Sequence, residues 1–288
     1  MGIRERIRKL SNLPARLNSM LEQALLVVKD PKKREDLCTV ACVVSSATWQ
    51  HWQSWRLPQD NRQEHEWIVF ANVMRIAESM KLSLSDRRVA TAFCFLHDTH
   101  FIKRIMEAEI RRLKKKGLMK QANQLQRMKK RQRFDHMGGG TDNARFLLSQ
   151  LRHPDIPGKS LLRPKEVNRC LGIVSTHDSW KVDPPKPPST KDRLAVACLE
   201  GDVLWPLHPV GVLADLDRPH KKKMSQNMFD PSTWRDQLKE SLETLKEFRP
   251  KWEKKARIPK KDFKDNESIF RSWEGFRMYS EWRKLWTL

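Results

Sequence analysis

Apolar residues recur at spacings of three and four along most of the chain, and alternating apolar–polar runs are almost absent. That periodicity predicts amphipathic helices rather than strands. Residues 1 to 50 read as three helices, over about 4 to 11, 13 to 29 and 31 to 48. Asp30 followed by Pro31 marks the start of the third, an N-cap ahead of proline at the first helical position. In QEHEWIVFANVMRIAESM, residues 63 to 80, Val69, Val73, Ile76 and Met80 form one stripe. Val89, Ala92, Phe93, Leu96 and Phe101 form another through VATAFCFLHDTHFIKRI, residues 89 to 105. The short loop KLSLSD joins these two as antiparallel neighbours.

Ile102, Ile105, Met106, Ile110 and Leu113 carry an apolar face onward to Gly117, and Leu118, Leu125 and Met128 predict a second helix behind it. HMGGGTDNARFLLSQL, residues 136 to 151, is expected to open as a glycine-rich turn and enter a helix capped by Thr141 or Asp142. Such a turn can cradle phosphate, but no GK[ST] follows, so it is not a P-loop. Val167, Cys170, Leu171 and Val174 predict a helix from about 164 to 177 that delivers His177 at its end. The proline-rich SWKVDPPKPPSTKD reads as a loop. Helix resumes behind a Ser189 or Thr190 cap, with Leu194, Ala197, Leu199 and Leu204 around Asp202. Residues 231 to 249 read as a further helix, and 266 to 288 as a C-terminal docking helix with Phe270, Trp273, Phe276, Trp282 and Trp286. Trp49, Trp52 and Trp55 share a face if their segment is helical, which suits packing better than base stacking.

Composition points the same way. With 10 Gly in 288 residues and abundant Leu, Lys, Arg and Glu, the expected fold class is all-α. No apolar run approaches the length of a membrane span, and the charged N-terminus is not a secretory signal. Gly2 does not make a myristoylation motif, because position 6 is Arg. The five cysteines form no CxxC pair. Cys38 and Cys42, in LCTVACVV, read as small buried residues, and a cytoplasmic location is expected.

The charge changes the picture more. The net charge is +22, and residues 103 to 133 contribute half of it, with thirteen basic and two acidic residues. That balance favours anionic partners: nucleotides, nucleic acid, polyphosphate or an acidic membrane surface. Neutralising Lys114, Lys115 and Lys116 is expected to raise KM if this segment faces a substrate.

One dipeptide organises the chemistry. His97-Asp98 sits at the end of an apolar face, where an unpaired charge is costly to desolvate. A histidine, His65, stands 32 residues upstream, and His136, His177 and Asp202 follow, each beside an apolar helical segment. Imidazole and carboxylate together suit transition-metal ions.

This order of His, His-Asp, His, His and Asp over residues 63 to 205 resembles the HD superfamily of metal-dependent phosphohydrolases. The resemblance implies an HD-type helical bundle over 63–218 carrying a basic helical insertion at 103–133, with N-terminal helices in 1–62 packed on it and a basic, Trp-rich extension over 219–288. It further implies that His65, His97, Asp98 and Asp202 hold one divalent ion (Mn, Fe, Co, Ni or Zn), and that Asp98 bridges to a second ion held by His136 and His177. Asp98 is then the central catalytic residue, and the substrate is an anionic phosphorylated compound. Members of the superfamily often have Lys three residues after the Asp. Here that place is Phe101, so Lys103 and Arg104 are the candidate phosphate contacts. Some relatives carry His-His where this chain has His177-Asp178, which leaves an extra ligand there in doubt. The same six-residue set occurs in a di-iron oxygenase branch, and a nucleic-acid-binding protein with a vestigial site is a third reading. His51 lies outside the pattern.

Overall fold

The computed structural model describes residues 2–54, 64–100, 103–179, 191–216, 230, 232–240, 242 and 270–287. These form helices α1 (Ile3–Leu10), α2 (Ala15–Leu25), α3 (Pro31–Ser54), α4 (His65–Ser79), α5 (Leu84–Leu96) and α6 (Lys103–Lys115). There follow α7 (Met119–Gln150), α8 (Pro164–Val174), α9 (Arg193–Val203) and, after a single 3-10 turn at Trp205–Leu207, α10 (Pro209–Leu216). A helix over 232–240, α11, precedes the C-terminal α12 (Trp273–Thr287). The described residues contain no strand, and one isolated bridge joins Arg152 to Ser160. The protein is all-α. No helix among the described residues is long and apolar enough to cross a membrane.

The α4–α5 pair stands at the centre. α4 packs on α2, α5 and α9, while α5 packs on α3, α4, α8 and α9. Both are buried almost all round, which is why their sequences carry wide apolar stripes. Phe70, Phe93 and Phe95 fill the space between them and their neighbours. Ile7, Leu21, Leu25 and Leu37 from the N-terminal helices join the same core, as do Phe270, Met278 and Tyr279 near the C-terminus. The start signals act locally as expected at α3, where Asp30 Oδ1 accepts from the backbone N–H of Lys32 at 2.9 Å and of Lys33 at 3.2 Å. Ser83 caps α5 by accepting from Asp86 N–H at 3.1 Å. The five cysteines are free and buried.

Several boundaries differ from the periodicity. α2 ends at Leu25, before Val28, and α3 runs on to Ser54 through Trp49 and Trp52. Trp49 packs against the core, whereas Trp55 lies outside the described residues. The cap of α9 is Asp192, which accepts from Ala195 N–H at 3.0 Å; Ser189 and Thr190 lie outside the described residues.

The largest correction concerns the glycine run. Gly138, Gly139 and Gly140 lie inside α7, which is one continuous helix from Met119 to Gln150. Neither Thr141 nor Asp142 is an N-cap, and Thr141 Oγ1 instead donates back to Met137 C=O at 2.7 Å. Gly139 and Gly140 serve close approach, whereas a Cβ on Gly138 would meet nothing within 4 Å. A Cβ on Gly139 would overlap the His100 ring, and one on Gly140 would lie 3.1 Å from the His97 carbonyl oxygen. Removing those side chains lets α7 lie directly on the turn that carries His97 and Asp98.

Candidate metal centre

Two helices stop just before the residues they deliver. α5 ends at Leu96, so His97 is its C-cap and Asp98 lies in the following turn rather than within a helix reaching 105. α8 likewise ends at Val174, and His177 sits in the turn beyond it. Each helix end leaves carbonyl groups without intrahelical partners. Those carbonyls fix the rings: His97 Nδ1 lies 3.0 Å from Cys94 C=O, and His177 Nδ1 lies 2.7 Å from Val174 C=O. With Nδ1 donating to a carbonyl, each Nε2 lone pair points at the cluster. This is the tautomer and the outer support that metal-binding histidines ordinarily have.

The remaining donors arrive from α4, α7 and α9. His65 opens α4, His136 lies within α7, and Asp202 lies near the end of α9. His65 Nε2 approaches His97 Nε2 at 3.0 Å and Asp202 Oδ1 at 3.3 Å, and His97 Nε2 lies 3.6 Å from the same Asp202 oxygen. On the other side, His136 Nε2 and His177 Nε2 are 3.1 Å apart. Asp98 stands between the two groups and divides its oxygens. Oδ2 faces His65 at 3.6 Å and His97 at 4.0 Å, while Oδ1 faces His177 at 3.6 Å and His136 at 3.8 Å. All six residues singled out from the sequence as ligands therefore meet in one cluster.

The cluster has two lobes, His65–His97–Asp98 and Asp98–His136–His177, and each could hold a metal ion. Donor atoms bonded at about 2.0–2.2 Å to one ion stand roughly 2.9–3.5 Å from one another. The closest donor pairs here fall in that range. The electrostatics also fit a cation. Burial disfavours charge on His97, but Asp98 and Asp202 outweigh it and lift its pKa to about 9. Burial likewise opposes ionised Asp98, yet His97, His177, His65 and His136 hold its carboxyl well below the usual range. Buried carboxylates surrounded by imidazoles need positive charge among them, supplied by protons or by metal ions.

Three further residues belong to the site. Asp178 is buried, with Oδ2 3.7 Å from His136 Nε2, so the second lobe has a carboxylate of its own. The sequence carried a signal for it, since His177-Asp178 repeats the His97-Asp98 dipeptide. Trp205 sets its edge on the His65 ring, with centroids 4.9 Å apart. His65 Nδ1 has no hydrogen-bond partner among the described residues, so packing rather than a carbonyl orients this ring. Glu66, adjacent to His65, is buried, and its pKa is raised by that burial. Neither Trp205 nor Glu66 stands out by spacing. Lys103 and Arg104 open α6, but their side chains lie outside the described residues. Lys114, Lys115 and Lys116 are at the opposite end of α6, roughly 17 Å of helix away from Lys103, so they do not line the mouth of the cluster.

The fold and the site thus define an all-α protein with a buried, two-lobed His/Asp cluster suited to metal. No protein-family model matches the chain, and neither the curated proteins nor the solved structures yield a match.

Proposed function

We propose that this protein is a metal-dependent phosphohydrolase of the HD type, acting at a dinuclear site. The observation that carries the reading is the division of Asp98: one oxygen faces the His65–His97 lobe and the other faces the His136–His177 lobe. A carboxylate between two imidazole pairs suits a bridging ligand. In this reading His65, His97 and Asp202 complete the first ion's set, and His136, His177 and Asp178 complete the second's. Imidazole with carboxylate oxygen favours Mn, Fe, Co, Ni or Zn over Ca. When bound, a pair of such ions neutralises phosphate charge and lowers the pKa of water toward neutrality.

The chain's own residues do the rest. The helix-end carbonyls of Cys94 and Val174 hold the His97 and His177 rings in the donor tautomer. Packing among the helices buries the cluster, with His97 and His136 fully buried. The basic start of α6, with Lys103 and Arg104, supplies cations to an anionic substrate. A phosphorylated small molecule in the cytoplasm, such as a nucleotide, fits this charge.

The test is metal analysis of the purified protein followed by a phosphate-release screen on p-nitrophenyl phosphates and nucleotides with Mn, Co or Ni. Two ions per chain and metal-dependent release are expected. Two irons without phosphate release would transfer the site to di-iron oxygenase chemistry. A protein that binds no metal and releases no phosphate would end the proposal.

A further inference from the structure

We propose that the tip of the α6–α7 hairpin docks on the surface of an anionic lipid bilayer. The two helices leave the cluster together and pack on each other. Met106, Ile110, Leu113 and Ala122 are buried in the hairpin, and Lys129 pairs with Glu107 at 2.7 Å. The turn is closed by Gly117 at φ +73°, with Leu118 N–H donating to Leu113 C=O and Gly117 N–H to Lys114 C=O. This helix ending ordinarily lays the residue after the glycine back on its own helix. Here Leu118 remains 42% exposed, and Met119 beside it 50%.

Every residue from Lys114 to Gln121 is exposed, so Lys114, Lys115, Lys116 and Lys120 surround this apolar pair. No acidic residue occurs from Leu113 to Phe134. Of the two acidic residues of α6, Glu107 pairs with Lys129, and Glu109 pairs with Arg112 and also faces the charge of Lys116. An excess of positive charge and outward apolar side chains therefore coincide at one point, remote from the cluster. A polyanion such as duplex nucleic acid offers phosphates to the lysines but leaves Leu118 and Met119 in water. A second copy of the tip would bury the apolar pair at the cost of bringing the lysines together. An anionic bilayer satisfies both, with headgroup phosphates for the lysines and the acyl boundary for Leu118 and Met119.

The test uses the purified full chain in vesicle flotation, with phosphatidylcholine alone and with phosphatidylglycerol at about a third of the lipid, a typical anionic surface. Binding is expected to the anionic vesicles and to weaken with salt. Each neutralisation among Lys114→Gln, Lys115→Gln and Lys116→Gln should lower affinity roughly fivefold. Leu118→Ser with Met119→Ser should lower it at least about tenfold while leaving any affinity for duplex DNA unchanged. Met128→Ser, on α7 away from the tip and 49% exposed, should have no effect. Because all these side chains are solvent-exposed, unchanged helical circular dichroism will show that the variants fold. No binding to anionic vesicles, full binding by the Leu118/Met119 double variant, or tighter binding to duplex DNA than to vesicles at matched salt would each overturn the proposal.

Discussion

Replacing His208 with Asn should flatten the acid sensitivity of this fold. His208 lies between the 3-10 turn and α10, with its ring edge-on to Trp282 of α12 at 5.0 Å between centroids. Its Nδ1 accepts from Val210 N–H at 3.2 Å, a bond that requires the unprotonated nitrogen. Burial, and then the nearby Arg75 charge, lowers its pKa from 6.5 to about 4. The sign follows from where the proton binds. Below pH 6.5 the unfolded chain takes up a proton that the folded chain refuses until about pH 4. Stability attributable to His208 is therefore complete above 6.5 and falls through that interval. At about 1.4 kcal/mol per pKa unit, the loss between pH 7.5 and 5.0 is roughly 2 kcal/mol. Asn can keep the acceptor for Val210 and cannot titrate. Glu200 works in the opposite direction: burial outweighs its bonds from Ser272 and Arg271 and raises it to about 7, so it favours the folded state on the acid side. Urea midpoints of both proteins at both pH values isolate His208, because Glu200 is common to them. If the wild type and His208→Asn lose stability equally between pH 7.5 and 5.0, the burial argument for His208 is wrong.

Other consequences are direct. Asp98→Ala should abolish turnover and bring metal content from two ions toward zero with little change in helical circular dichroism, since α-helical packing does not depend on the ions; retention of both metals and activity would remove this cluster from the mechanism. His136→Ala should lose mainly the second ion and Asp202→Ala mainly the first, read by metal stoichiometry; equal losses from both would contradict the two-lobed arrangement. Gly201 sits where α9 crosses α4, with space for a Cβ already taken by Val73, so Gly201→Ala should cost about 1–3 kcal/mol and lower Tm. An unchanged Tm would show that α9 is free to move away from α4.

The helical class was legible because periodicity is a local property. Val69, Val73 and Ile76 all face the core, as their spacing requires. The candidate set was legible from the family resemblance and because buried His and Asp beside apolar stripes are costly unless they meet something, and the six do meet in one cluster. What local pattern could not supply was where helices stop. The stripe through Phe101 ran past His97, but α5 ends at Leu96, and the Cys94 carbonyl left at that helix end bonds to the His97 ring. The glycine run carried a turn signal in isolation, yet it lies inside α7, and tertiary packing accounts for the glycines themselves: the His100 ring and the His97 carbonyl occupy the space that side chains at 139 and 140 would need. Trp205 joined the site through tertiary packing alone, carried onto the His65 ring from a segment far away in sequence, whereas Asp178 was signalled by its place beside His177. The lysines at 114–116 show the converse. Their charge was plain from composition, but α6 carries them away from the His/Asp cluster, a consequence of helix rise and direction that charge alone does not encode. Residue type along the chain determined which groups needed partners; the crossing of α4, α5, α7 and α9, and the abrupt ends of α5 and α8, decided which partners they received.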